Sequence, residues 1–200
     1  MGLSKINLQN DLYTAFDSMN SVYKNGEEYM ATRCAEAIKN YLSEGVVNTV
    51  DSGKGTIGGV YTGKGKGTIQ IDSNTLKNLF LTTLLTAKNN DDIALMMSNN
   101  VNAVCSMSNT INTKSVGTTT LPPSPPQADG GIGKGTFSGA STSIFLKLKM
   151  CFLTMGGMTK GGNMYFAQEF ADAIHTYITS GTVNVTLQAP LIGSGTGNIS

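Results

Sequence analysis

An internal repeat constrains the fold of this chain more than any other feature. When the sequence is displaced by 136 positions, residues 12–48 align with residues 148–184 without a gap, and 14 of the 37 pairs are identical. Chance would give only about two or three. A displacement of 64 positions aligns a middle copy that is less similar, in which Leu76 corresponds to Leu12 and Phe80 to Phe16. The chain therefore carries three related segments.

Each segment combines a helical pattern with an extended one. Apolar residues recur at steps of three and four in the first part, which is typical of paired amphipathic helices. Gly45 and Gly181 end this helical pattern. They are followed by β-branched residues and by Gly-Lys-Gly motifs, which are typical of extended strands and turns. We predict an α+β fold of three tandem repeats, each a helical hairpin followed by Gly-rich β-strands. The predicted units are 1–71, 72–140 and 141–200.

The repeats also predict core positions and one loop. Four prolines between positions 122 and 126 cannot lie inside a sheet, so we expect an exposed Pro-rich loop over 117–131 in the second unit. Identical apolar residues of the outer copies should form the core of the repeats: Leu12, Phe16, Ile38, Tyr41, Leu148, Phe152, Ile174 and Tyr177.

Composition argues against several classes of function. A formal net charge of +1 provides no concentrated basic field for nucleic acid. No apolar run is long enough to cross a bilayer, and we see no targeting signal. The three cysteines, Cys34, Cys105 and Cys151, lack metal-ligand spacing, and we interpret them as reduced core residues.

Catalytic and cofactor motifs are weak. Gly53–Gly58 has the letters of a dinucleotide-binding loop, but the sequence that follows is not helical as that motif requires. His175, the only histidine, aligns with Lys39 and is interpreted as a residue on a solvated helix face. We predict no catalytic residue, no metal site and no cofactor, and therefore no enzyme.

The size of the unit suggests assembly. About 65 residues with short helices and Gly-rich strands bury too little surface to be stable alone, so each unit should need neighbours. We expect exposed strand edges to be completed by other chains through strand addition. The predicted partner contacts are Lys54, Lys64, Lys66, Lys134, Val183, Val185, Gly195 and Gly197.

The run from Phe170 to Ile178, the strand pattern from Gly181 to Val185 and the tail from Gly195 to Ile199 resemble virion structural proteins of tailed bacteriophages. The resemblance implies a non-enzymatic capsid, connector or tail protein, located in the virion after assembly in the host cytoplasm. Its partners would be its own copies and other virion proteins, with no membrane. The alternative is a binding module whose Gly-Lys-Gly loops contact an acidic protein or nucleic acid, of which nucleic acid is the less favoured partner.

Overall fold

A computed structural model describes residues 2–19 and 24–200 of the chain. Its elements follow one another as two helices and then two strands, three times over. The helices are α1 (Lys5–Ser18), α2 (Gly26–Glu44), α3 (Ser73–Thr86), α4 (Asn90–Cys105), α5 (Ser141–Met155) and α6 (Gly162–Ser180). The strands are β1 (Val47–Lys54), β2 (Val60–Ile69), β3 (Ile111–Thr120), β4 (Gln127–Ser138), β5 (Thr182–Leu187) and β6 (Ile192–Ile199).

The six strands form one closed barrel. Every strand pairs antiparallel with its neighbours in chain order, and β1 pairs with β6 along its whole length, from Val47 opposite Ile199 to Lys54 opposite Ile192. The first and last strands thus satisfy each other's backbone donors and acceptors. Closure of this kind removes the edges of a sheet.

The helices form a second closed ring over one end of the barrel. Each helix packs on its neighbours in the chain, and α1 also packs on α6. The C-terminal ends of α2, α4 and α6 lead into β1, β3 and β5, so these ends lie next to the barrel. The turns within the three helical pairs therefore lie at the end of the molecule remote from the barrel.

The core lies where the helices meet the barrel. Each strand directs one large apolar side chain inward at this end, and these side chains join the buried helix residues in a single cluster. They form three cross-strand pairs, Val47 with Ile199, Ile69 with Ile111, and Phe137 with Val183. Burial of this layer and of the helix stripes supplies the main favourable free energy of folding.

The far end of the barrel is closed by its own contacts. Tyr61, Leu187 and Leu191 form a small separate buried cluster there. Asp129 accepts hydrogen bonds from the backbone N–H and hydroxyl of Thr56 and from the hydroxyl of Thr119. Asp129 thus ties the β1–β2 turn to the β3–β4 hairpin.

Inward-facing glycines make this narrow barrel possible. A Cβ atom at Gly195 would lie 1.8 Å from Oδ1 of Asp51, and one at Gly65 would lie 2.2 Å from Oγ1 of Thr49. At Gly197 it would lie 1.8 Å from the carbonyl oxygen of Asn48 on the adjacent strand. In the middle of the barrel, Thr49 and Asp51 thus fit inside because the residues that face them, Gly65 and Gly195, have no side chain.

The predicted architecture is wrong, although its α+β class is found. Six helices and one closed six-stranded antiparallel barrel replace three helical-hairpin repeats with separate strands. The strand edges expected to be open are also corrected, since β1 and β6 pair within the chain. The physical reason is that joining the two ends of the sheet satisfies internally the backbone groups that we had assigned to a neighbouring molecule.

The expected loop over 117–131 is shorter than predicted. Residues 117–120 belong to β3 and residues 127–131 to β4, which leaves the irregular connection at 121–126. All of that connection is exposed. The four prolines of the region lie within it, so the residues on either side keep the N–H groups that a strand ladder needs.

We predict that Gly197→Ala will be strongly destabilising because its Cβ meets backbone on the neighbouring strand, which cannot move aside without distorting the barrel. The expected loss is at least about 2 kcal/mol of unfolding free energy. Gly157→Ala is the control, since its Cβ would have ordinary contacts, the nearest 3.7 Å away. Denaturant unfolding followed by circular dichroism measures both, and equal stabilities would contradict the packing described here.

Candidate functional site

The predicted contact lysines lie on the outside of the barrel. Lys54, Lys64, Lys66 and Lys134 are exposed and alternate with inward-facing residues along β1, β2 and β4. They belong to strands and not to loops as the alternative hypothesis assumed. The ion pairs in the described part of the chain use other basic residues.

Strand register adds a fifth lysine that the sequence analysis missed. Lys66 lies directly opposite Lys114 on β3, also exposed. Like charges placed opposite each other on a sheet are destabilising. Lys114 lacks flanking glycines, so it did not match the Gly-Lys-Gly pattern. The segment Ile111–Thr120 alternates inward- and outward-facing residues, and this alternation could have identified Lys114 as an outward-facing strand residue.

The strands provide little negative charge to balance these lysines. Their carboxylates are Asp51 and Asp129. Asp51 faces the barrel interior and is 1% exposed. Asp129 is held at the far end by Thr56, Thr119 and its neighbour Gly130, and these hydrogen bonds, led by that from Thr119, lower its pKa to about 2. The outer face of the described strands is therefore basic.

Aliphatic side chains lie between the lysines. Val50 and Val116 flank Lys64 on the adjacent strands, and Ile132 lies opposite Lys114. Their exposed fractions are 69% for Val50, 63% for Val116 and 57% for Ile132. We define the outer patch as the exposed residues that β1 to β4 bring together: Val50, Lys64, Lys66, Lys114, Val116, Ile132 and Lys134. Exposed aliphatic side chains bordered by charged ones are a feature of interaction surfaces.

The other predicted contact residues lie elsewhere. Val183 and Val185 point into the barrel and are 0% and 3% exposed. Gly195 and Gly197 face the same interior, where they leave room for Asp51 and for the backbone at Asn48. These four residues therefore lie away from the outer patch.

The predicted core residues lie in one cluster. Seven of the eight are buried, and Phe152 is partly buried against the same cluster: Leu12, Phe16, Ile38, Tyr41, Leu148, Phe152, Ile174 and Tyr177. The three cysteines are free and buried, as predicted. Burial raises the pKa of Cys34 and Cys105 to about 12 and that of Cys151 to about 11, so all three remain thiols near neutral pH.

The barrel encloses a polar cluster that the sequence analysis did not identify. Ser115 donates a hydrogen bond to Oδ2 of Asp51, and the hydroxyls of Ser115 and Tyr61 lie 2.7 Å apart. Oδ1 of Asp51 and Oγ1 of Thr49 are the buried side-chain atoms of the described residues without a hydrogen-bond partner. Tyr61 and Ser115 are 0% exposed. Because a substrate could not reach these groups in this conformation, the cluster is not an accessible reaction site.

His175 is not on a solvated face as predicted. Its Nδ1 lies 2.7 Å from the hydroxyl oxygen of Tyr41 on α2, and the ring is half-buried. Burial raises the pKa of Tyr41, with a smaller effect from Glu44, so its hydroxyl remains a donor at neutral pH. Burial is also the main cause that lowers the pKa of His175, with Lys5 in the same direction and Asp172 opposing. With its own proton on Nε2, the neutral imidazole accepts a hydrogen bond from the Tyr41 hydroxyl at Nδ1, and this contact joins α2 to α6.

No protein family, curated protein or solved structure matches this chain. Within residues 2–19 and 24–200, no three histidine, cysteine or acidic side chains come together as they would to hold a metal ion. None of the helices in those ranges has the length and apolar character needed to cross a bilayer.

We predict a pH-dependent stability that depends on His175. The unfolded chain binds a proton near the ordinary histidine pKa of about 6.5, whereas the folded chain does so only at lower pH. Between these values the unfolded state binds more protons, so stability falls as the pH drops below about 6.5. Thermal unfolding of the wild type and His175→Gln at about pH 7.5 and about pH 5.5 should give a smaller decrease in the variant. An equal decrease in both would contradict this role.

Proposed function

We propose that this protein is a non-enzymatic structural component of an assembled particle and that it contacts its neighbours through the outer patch. The single observation that carries the proposal is the exposed combination of aliphatic and cationic side chains across β1 to β4. Apolar area provides affinity on association, and charge selects the partner and its orientation.

A second copy of the chain offers a complementary surface. Glu27 and Glu28 lie in the first turn of α2, and Asp91 and Asp92 lie in the first turn of α4. Both turns belong to the end of the helical ring remote from the barrel. Glu28 and Asp91 pair with Lys77 and Lys149 within the chain, so Glu27 and Asp92 are the carboxylates that could face the outer patch of another copy. A contact between different surfaces generates rings or extended assemblies.

The choice of a virion as the particle rests on the sequence. The pattern of short helices, strands and glycines resembles virion structural proteins of tailed bacteriophages, which act as capsid, connector or tail parts. We therefore propose copies of this chain and other virion proteins as its partners. The contact surface differs from the one expected from the sequence, because the strand edges are paired within the barrel.

Self-association should depend on both components of the outer patch. We predict that Lys66→Glu with Lys114→Glu, and separately Val50→Thr with Val116→Thr, will each weaken it by about tenfold or more. The first pair reverses the charge at the patch, and the second replaces exposed apolar groups while retaining β-branched side chains. Sedimentation velocity over a range of protein concentrations measures the change.

Lys39→Glu provides the charge-reversal control, since Lys39 is exposed on α2 and lies outside both the barrel strands and the turns at the remote end of the helical ring. This variant should associate like the wild type. A wild-type chain that stays monomeric at all concentrations would contradict self-assembly. Association that survives both patch variants would show that another surface makes the contact.

The binding-module alternative is favoured by one feature, the lysine pair formed by Lys66 and Lys114. Neither lysine forms an ion pair among the residues that the structure describes, and two facing cations of this kind suit phosphate groups or an acidic protein surface. Binding to a fluorescent DNA duplex should then fall steeply with salt and be lost in Lys66→Glu with Lys114→Glu. The Val50→Thr with Val116→Thr variant should keep this binding. Self-assembly through the outer patch should instead be less sensitive to salt than DNA binding, and it should be weakened by the valine variant as well as by the lysine variant.

A further inference from the structure

The helical ring contains an apolar cavity of about 310 Å³ that neither the outer patch nor the barrel uses. All six helices or the turns next to them contribute to its wall. Leu84 lies on the wall and is 37% exposed, so the cavity reaches the surface.

Topology places the cavity far from the barrel. Its lining residues lie near the C-terminal ends of α1, α3 and α5 and near the N-terminal ends of α2, α4 and α6. These ends meet at the turns within the helical pairs. One phenylalanine comes from each odd-numbered helix: Phe16, Phe80 and Phe152.

On one side of the cavity wall, aromatic rings pack against one another. The ring of Phe166 lies 4.9 Å from that of Phe16 and 5.3 Å from that of Phe152 between centroids. Met19, Met30, Met97 and Met155 complete much of the remaining wall. Methionine side chains adapt their shape to a bound group and make favourable contacts with aromatic rings. The wall thus combines a fixed aromatic side with an adaptable one.

None of the described residues that line the cavity carries a charged side chain. Cys34 lines the cavity as a neutral thiol because burial raises its pKa to about 12. The hydroxyl of Thr83 donates to the carbonyl of Leu79 and accepts from the side chain of Asn100. The side-chain nitrogen of Asn163 donates to the carbonyl of Phe16. An ionised group inside the cavity would lose its hydration without a counter-charge.

We propose that this cavity is a binding site for an uncharged, mostly hydrocarbon small molecule, aromatic or aliphatic. Protein interiors rarely leave voids much larger than a water molecule. An engineered apolar cavity of roughly 150 Å³ stays dry and binds benzene. The cavity here is about twice that size and falls within the range of small-molecule pockets. The site lies at the opposite end from the outer patch and does not depend on the proposed assembly function.

The test uses N-phenyl-1-naphthylamine, an uncharged probe that fluoresces in apolar surroundings. We expect saturable binding by the wild type and a rise in its melting temperature with probe concentration. Ala31 lines the cavity and is fully buried, so Ala31→Leu should fill the space and weaken binding by at least about tenfold. Ala103→Leu is the control, because Ala103 is exposed on α4, and it should bind like the wild type.

A second variant protects the test against misfolding of Ala31→Leu. Leu84→Trp alters the partly exposed wall and should also weaken binding by at least about tenfold. The sulfonated analogue 1-anilinonaphthalene-8-sulfonate should bind at least about tenfold more weakly than the uncharged probe. Lys66→Glu with Lys114→Glu should leave probe binding unchanged. Absence of saturable binding to the folded wild type, unchanged binding in both cavity variants, or equal affinity for the sulfonated probe would overturn the proposal.

Discussion

Pairing of β1 with β6 is the constraint on which the rest of the structure depends. This contact joins the first and last strands of the chain and closes the barrel, and the contact of α1 with α6 closes the helical ring in the same way. A barrel of only six strands has little interior volume. Glycines such as Gly65 and Gly195 therefore face the larger side chains of Thr49 and Asp51. The high glycine content follows from closure.

Closure also determines which surfaces remain for function. Because the backbone groups of the first and last strands are used within the barrel, contacts of the barrel strands with other molecules have to involve side chains. Every second residue of β1 to β4 points away from the barrel interior. These outward-facing positions place Val50, Lys64, Lys114 and Ile132 on one face. The turns within the helical pairs leave an apolar cavity at the opposite end. The two candidate sites lie on different parts of the molecule, one on the barrel strands and one within the helical ring, so they can be tested independently.

Sequence reasoning was most successful where a local pattern fixes the environment of a residue. Ile38 and Ile174 lie on the apolar faces of amphipathic helices. Such a face packs against the core regardless of which element it meets there, so both residues are buried. It was less successful where the environment comes from another strand or helix. Lys114 became part of the outer patch through its register with Lys66. His175 was misjudged because its partner, Tyr41, lies 134 positions away in the chain.

The sequence by itself determined the α+β class, the helical stripes and the absence of a strongly charged chain, since each follows from local periodicity or composition. Only the tertiary structure decided that the strands form one closed barrel. The inward direction of Val183 and Val185 was also decided there, since a strand with period-two alternation does not specify which face will be enclosed. That choice depends on non-local pairing, and an open sheet and a barrel share the same local pattern.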